Sequence, residues 1–327
     1  MEKKPVSPMR IKEPLAAAWQ QMKTQVFPFK VPLWIAVGLA VWLASFSGQN
    51  QPALVAVVPQ FLFFPGLGPA KTSIESGQLA RNLDTWLSGA TSAMPATAGT
   101  IGVLAIGAVL LFTWLTARGQ LMLAWSALHN NYSPSAAWNG AKPATGSVFK
   151  FRLVAELLRL AMVIGGVASV GACVYNLIQQ RATQTGAYLL VVVPMALGWT
   201  LLLLVPTILL RLLDAFAIPL MLRDNLRAAQ AMSHVWTLVK KYPRAVIVYL
   251  LLRAVFLEVA GVAMLIAGFV TCGIGLTPVI GQAIFTPYFV FDRLWPMRML
   301  ESVGPDWNPF PTPSLPASGE SDSANAE

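Results

Sequence analysis

The sequence predicts an all-α integral membrane protein with six transmembrane helices in three tandem pairs, each pair preceded by a cytoplasmic amphipathic helix that lies in the membrane interface. Hydrophobic residues make up 56% of the 327 residues and charged residues 11%, whereas a soluble domain carries about 25% charged residues. The charges are clustered, so long apolar stretches contain none. These uncharged stretches are residues 31–70, 85–117, 160–180, 182–210 and 259–291.

The positions of the spans follow from the lengths of the apolar stretches, because crossing the hydrocarbon core takes about 20 mainly apolar residues. The last two predicted spans come from one long stretch in which Gly268, Gly273, Gly275 and Pro278 favour a tight reversal. The six predicted spans are residues 31–47, 98–117, 154–177, 187–210, 246–267 and 274–291.

The distribution of basic residues predicts which side of the membrane each connection faces. With six spans, all 23 Lys and Arg residues except Lys71, Arg81 and Arg181 fall on one side. The positive-inside rule then places both termini in the cytoplasm. The apolar segment 52–65 is interrupted by prolines and short for a span, so we expect it to be interfacial or re-entrant. Counting it as a span would put the basic loop 118–159 outside.

The chain divides into a cytoplasmic N-terminus with an interfacial helix (residues 1–30), a membrane domain (31–303) with an outer loop (48–97), and a tail (304–327). The tail is rich in Pro and Ser and is expected to be disordered. The first apolar run is interpreted as an uncleaved signal-anchor, because the segment before it is long for a signal peptide. Cleavage after this run, at Ser47-Gly48, is the alternative.

Basic segments with an apolar stripe at helical spacing precede the first and fifth spans. In Ala228–Tyr242 the apolar residues share one helical face, and polar and basic residues lie largely away from it. Residues 13–30 repeat this design, with a stripe that runs from Leu15 to Val26. Helices of this kind lie in the interface between lipid and water.

A weaker version of the same segment, residues 134–152, precedes the third span. Pro143 and Gly146 are expected to break its helix early. The chain is therefore interpreted as three parallel tandem units, each an interfacial helix followed by two spans. The alternative is convergence, because any cytoplasmic segment beside a span tends to be basic and amphipathic.

The formal charge of +9 does not indicate nucleic acid, because the basic residues flank apolar spans and form no domain of their own. Membrane lipids with anionic headgroups are the expected partners, and a protein partner or a homo-oligomer is a further alternative. No cofactor or metal is expected, since Cys173, Cys272, His129 and His234 are isolated. The residues predicted to contact headgroups are Lys23, Lys30, Lys142, Lys150, Lys240, Lys241 and Arg244.

Glu258 is the main candidate for an intramembrane functional site, because a charge in hydrocarbon costs about 3 kcal/mol. Arg253 is five residues earlier, too far around the helix for an ideal pair. Glu258 therefore pairs with another helix, faces a wet cavity or is protonated. The functional interpretation is a proton or cation site, and the structural one is a polar contact that locks the bundle.

Other charged residues lie at the ends of the spans. Arg152, Glu156 and Arg159 share a helix face and are expected to neutralise one another there. Arg211 and Asp214 lie between Pro206 and Pro219, where a kink would expose carbonyls that could hold a cation or headgroup. A plain bend is the alternative. Asp292-Arg293 is expected to anchor the last span at the interface, and His234 to be exposed.

Several stretches resemble uncharacterised bacterial six-span membrane proteins over most of the chain: "VFPFKVPLWIAVGLAVWLA", "ARGQLMLAWSAL", "LDAFAIPLM" and "PYFVFDRLWPMRMLESVGPDW". Ala228 to Lys240 is more loosely similar to the membrane domain of glycerophosphoryl diester phosphodiesterases. The resemblance implies a helical bundle in a bacterial inner membrane and carries over no catalytic residue.

The composition and motifs favour a non-enzymatic inner-membrane protein that acts as a scaffold or contacts lipids or a partner. The alternative is a small transporter or channel that uses Glu258 as an intramembrane acid. A lipid-modifying enzyme is a third hypothesis, which no phosphate loop, nucleophile elbow or zincin helix supports.

Overall fold

The computed structural model describes residues 11–46, 94–179, 185–273, 275, 277 and 279–310, and these residues form helices and turns without a β-strand. The predicted all-α class is confirmed for them. The helices are α1 (Lys12–Val26), α2 (Val31–Ala44), α3 (Met94–His129), α4 (Pro134–Gln179), α5 (Thr185–Leu212), a π-helix (Leu213–Ala217), α6 (Ile218–Asp224), α7 (Ala228–Lys241), α8 (Pro243–Val270), α9 (Ile280–Ile284) and α10 (Thr286–Val303), followed by a 3₁₀ turn (Pro305–Trp307).

Three sequence predictions fall wholly or mostly outside the described residues. They are the re-entrant segment 52–65, the outer loop 48–97 apart from the start of α3, and the tail beyond Phe310.

Four helical segments are long and apolar enough to cross a membrane, namely Ile106–His129, Pro134–Cys173, Leu190–Asp224 and Pro243–Val270. They overlap the second to fifth predicted spans. This composition is that of a membrane protein, and it agrees with the uncharged stretches of the sequence.

The first and last predicted spans do not appear as long single helices. α2 is apolar but has 14 residues, about 21 Å at 1.5 Å per residue, against a hydrocarbon thickness of about 30 Å. In the last predicted span, the described helical residues from Ile280 onward are divided between α9 and α10, and α10 continues to Val303. Within the described residues, four helices rather than six therefore meet the length criterion.

Several helices end at a residue in the left-handed backbone region. Asn130 follows α3 with φ 48°, and Asn225 follows α6 with φ 51°; asparagine tolerates this conformation better than most residues. The reversal predicted between Gly268 and Pro278 begins where α8 ends, with Gly273 at φ 92°.

α4 continues through Pro143 and Gly146 as one helix of 46 residues, so the predicted early break is wrong. A proline removes one backbone hydrogen bond, but packing on both sides of this position holds the helix. Ala141 and Val148 are fully buried, and the Thr145 hydroxyl donates to the Ala141 carbonyl oxygen at 2.7 Å. The segment before the third predicted span is thus continuous with that span.

α1 and α7 form where the basic, apolar-faced segments predicted helices. The buried residues of α7 are Ala228, Ala231, Val235 and Leu238. α1 buries Pro14, Ala18, Met22 and Val26 and packs along α10. Both apolar faces are therefore covered by protein. Trp19 and Trp236, which the sequence placed in the apolar stripes, are 48% and 50% exposed.

The buried core lies where α1, α2, α6, α7 and α10 meet the second half of α3, the first half of α4 and the start of α8. Away from this core, α3, α4, α5 and α8 expose large apolar side chains, for example Leu104, Val167, Leu201 and Phe269. Extended apolar surface on helices of span length is the surface that lipid covers.

The first part of the predicted disordered tail, residues 304–310, has a defined conformation. Arg223 Nη1 donates to the Asn308 carbonyl oxygen at 2.9 Å. The Arg298 guanidinium lies 4.4 Å from the centre of the Phe310 ring. These contacts attach the segment to α6 and α10.

Candidate functional site

Two buried arginine–aspartate pairs link the helices at the centre of the core. Arg253 on α8 donates from Nε to Asp292 Oδ1 at 2.7 Å and from Nη2 to Oδ2 at 2.8 Å. Arg152 on α4 donates from Nη2 to Asp214 Oδ1 in the π-helix. The two-point geometry of the first pair fits the planar guanidinium to the carboxylate. Each pair joins two helices that are distant in sequence.

The π-helix positions Asp214 for these contacts. Its wider turn frees a backbone carbonyl, and Arg293 Nη1 on α10 donates to the Asp214 carbonyl oxygen at 3.0 Å. All five residues of the π-helix are buried. π-Helical turns are frequent at functional or strained positions. We call Arg152, Asp214, Arg253, Asp292 and Arg293 the arginine–aspartate centre.

Aromatic rings close one side of the arginine–aspartate centre. The Tyr249 ring lies 5.1 Å from that of Phe216 and 4.9 Å from that of Trp295, measured between centroids. A cavity of about 10 Å³ beside Arg253, Tyr288 and Asp292 has room for about one water. This volume is too small for an organic ligand, so the centre is a charge-pairing feature of the core rather than a substrate pocket.

The kink expected around Arg211 and Asp214 coincides with the π-helix, and two acceptors of Asp214 there bind arginines. The Asp214 carboxylate binds Arg152, and its carbonyl binds Arg293. Arg211 lies within electrostatic reach of Asp214, Arg253 and Asp292, but its side chain makes no hydrogen bond or ion pair to another described residue. Arginine side chains thus occupy one carboxylate oxygen and the carbonyl oxygen of Asp214.

Asp292 and Arg293 are buried in the core, so their predicted role as an interface anchor is wrong. Sequence reasoning did not find their partners, because those partners lie on other helices. The one sequence signal for this pairing was that Asp292 and Arg293 directly follow the long uncharged stretch 259–291, where a buried charge needs a partner.

The predicted cluster of Arg152, Glu156 and Arg159 is divided between two places. Arg152 points into the arginine–aspartate centre, whereas Arg159 Nε lies 3.2 Å from Glu156 Oε2 on the partly exposed side of α4. Arg253 pairs with Asp292 rather than with Glu258. Glu258 is half-buried on α8 and is not part of the centre.

All seven basic residues predicted to contact headgroups are exposed. They are Lys23, Lys30, Lys142, Lys150, Lys240, Lys241 and Arg244. Lys30 lines a polar recess of about 640 Å³ with Gln25, Asn131 and Tyr132. The Tyr132 hydroxyl donates to Gln25 Oε1 at 2.7 Å, and burial raises the pKa of Tyr132 above its ordinary value.

A tryptophan precedes a lysine by four residues on each of the three basic helical segments, a spacing that sequence analysis overlooked. We call these pairs the Trp–Lys elements: Trp19–Lys23, Trp138–Lys142 and Trp236–Lys240. Four residues along a helix place both side chains on one face.

In two of the three Trp–Lys elements the lysine ammonium approaches the tryptophan ring. Lys23 Nζ lies 5.5 Å from the centre of the Trp19 ring, and Lys240 Nζ lies 5.9 Å from that of Trp236. Trp138 is instead approached by Arg118, whose guanidinium lies 4.2 Å from its ring centre. The residue before each tryptophan is buried: Ala18, Ala137 and Val235.

Comparison with known proteins identifies a family but no activity. No curated protein and no solved structure matches the chain, so the similarity to the membrane domain of glycerophosphoryl diester phosphodiesterases stays a prediction. One family model matches residues 9–300, nearly the whole chain. The chain therefore belongs to that family, a family of unknown function (DUF7544).

Proposed function

We propose that the protein is a non-enzymatic membrane scaffold that binds anionic lipid headgroups through its three Trp–Lys elements. The observation that carries this proposal is that each element presents an exposed tryptophan and an exposed lysine on one helix face. Tryptophan is enriched at the boundary between lipid and water. A lysine near an anionic surface contributes about 1 kcal/mol of binding.

The elements stand on helices that are held rigidly. α1, α4 and α7 are anchored by buried residues directly before each tryptophan, and the Ala228 backbone N–H at the start of α7 donates to Ser147 Oγ on α4 at 2.7 Å. Because the elements stand on packed helices, they engage headgroups with little loss of backbone entropy on binding.

The same proposal includes six spans in three tandem units, both termini in the cytoplasm, and a bacterial inner membrane. The ion pairs support the repeat, because in the second and third units each joins the helix of the first predicted span to residues that directly follow the second. Arg152 on α4 meets Asp214 after α5, and Arg253 on α8 meets Asp292 on α10. Pro219 lies five residues after Asp214, and Pro296 lies four residues after Asp292. The π-helix accounts for the one extra residue in the first spacing.

The test measures binding of phosphatidylglycerol and phosphatidylcholine to the full chain purified in a mild detergent, by native mass spectrometry. Wild-type protein should retain phosphatidylglycerol more strongly. Replacing Lys23, Lys142 and Lys240 with Gln should weaken that binding at least about tenfold.

A matched control replaces Lys12, Lys150 and Lys241, three exposed lysines outside the Trp–Lys elements, with Gln. Lys150 and Lys241 are also predicted headgroup contacts but have no tryptophan four residues before them, so this control isolates the contribution of the Trp–Lys spacing. We expect a smaller loss for this variant. Equal losses in both triple variants, or equal binding of the two lipids by wild-type protein, would overturn the proposal.

A further inference from the structure

A groove of about 280 Å³ lies on the outside of the bundle between the end of α2, α3 and α4. Its walls are mainly apolar, with Phe46, Phe112, Leu157 and Leu160 among them, and the Glu156–Arg159 ion pair also lines it. The Phe46 and Phe112 rings stack with centroids 4.9 Å apart and form one wall. The groove therefore combines an apolar surface with one positive and one negative group.

We propose that this groove seats one zwitterionic phospholipid with a primary ammonium group, of the phosphatidylethanolamine class. An acyl chain lies along the apolar walls, the phosphate contacts Arg159, and the ammonium contacts Glu156. This inference rests on the proposed membrane location but not on the Trp–Lys elements.

The position of the ion pair along α4 places it at headgroup level. Residues 160–179, directly after Arg159, contain no charge and form the rest of α4; these 20 residues span about 30 Å, the thickness of the hydrocarbon core. Glu156 and Arg159 thus stand at one end of the hydrocarbon-crossing part of α4. Lipid in the groove would have its chain beside Leu160 and its headgroup beside the pair.

Charge complementarity selects the headgroup class. Arg159 and Glu156 carry opposite charges 3.2 Å apart, which matches a phosphate and an ammonium joined by a short linker. An anionic headgroup would satisfy Arg159 but meet repulsion from Glu156. A quaternary ammonium would keep the charge attraction but could donate no N–H to the carboxylate.

The experiment uses the detergent-purified full chain carrying Lys23→Gln, Lys142→Gln and Lys240→Gln, so that the Trp–Lys elements do not contribute. It is titrated with phosphatidylethanolamine, phosphatidylcholine and phosphatidylglycerol of the same acyl chains, by native mass spectrometry. This protein should bind one phosphatidylethanolamine about tenfold more tightly than phosphatidylglycerol. Glu156→Gln should remove that preference. Leu160→Trp should fill the groove and weaken binding of all three lipids there.

The matched control is Leu201→Trp, because Leu201 is an exposed leucine on α5 outside the groove. It should leave lipid binding unchanged. The proposal is overturned if this lysine-substituted protein does not prefer phosphatidylethanolamine, if Glu156→Gln keeps the preference, or if Leu160→Trp behaves like Leu201→Trp. Unchanged phosphatidylglycerol binding by the lysine variant, with the phosphatidylethanolamine preference intact, would instead overturn only the scaffold proposal.

Discussion

Arg253 and Asp292 share two hydrogen bonds of 2.7 and 2.8 Å, and both side chains are almost completely buried. Removing one partner leaves an uncompensated buried charge, which costs about 3–5 kcal/mol. We therefore expect Asp292→Ala to lower the free energy of unfolding by about that amount. Thermal unfolding in detergent, followed by circular dichroism, measures the change.

A double variant distinguishes pairing from packing at the same place. Arg253→Met combined with Asp292→Leu removes both charges and keeps most of the volume, so it should be far less destabilised than Asp292→Ala. If the two variants unfold at the same temperature, the ion pair is not what makes Asp292 important.

Gly119 on α3 lies directly against the backbone of α2. A Cβ at this position would lie 2.5 Å from the Ala44 backbone nitrogen and 2.6 Å from the Ala40 carbonyl oxygen. Gly119→Ala should therefore push the helices apart and cost about 1–3 kcal/mol. Gly107→Ala on the same helix is the control, because a Cβ there meets nothing within 4 Å. Similar melting temperatures for both variants would contradict this packing.

The orientation of the chain can be tested with reporter fusions. Because most Lys and Arg residues fall on one side of the six-span topology, reporters fused after Asn131 and Asn225 should report the cytoplasm. Reporters after Leu83 and Gln184 should report the outside. The Leu83 fusion is the critical one, since α2 is short for a span. A cytoplasmic signal at Leu83 would mean that α2 does not cross the membrane.

Glu258→Gln separates the scaffold from the transporter hypothesis. The scaffold proposal predicts that this variant folds and that its free energy of unfolding stays within about 1 kcal/mol of the wild-type value. It also predicts that vesicles with wild-type protein show no proton or cation flux above that of empty vesicles. A pH-sensitive dye inside the vesicles measures the flux. A wild-type flux that Glu258→Gln abolishes would favour the transporter.

The helical class and the positions of the long helices were predictable from the sequence, because they depend on local apolar content. The arginine–aspartate centre was not, because its partners are distant along the chain. Arg152 was expected to pair with Glu156 four residues away, yet Asp214 takes that place. The sequence also did not distinguish a helix face that meets lipid from one that meets protein, because apolar side chains suit either neighbour. The apolar stripe of α1, for example, packs on α10.

The unbroken course of α4 has a mechanical consequence. At 1.5 Å per residue its 46 residues extend about 69 Å, and this single rod bears Trp138, Arg152 and Arg159 in succession. The helix is continuous across these positions, including Pro143, so a displacement of Arg159 by the proposed lipid would be passed along one backbone to Trp138. Strain in the bilayer would then be felt at the first turns of α4 as well as at the groove.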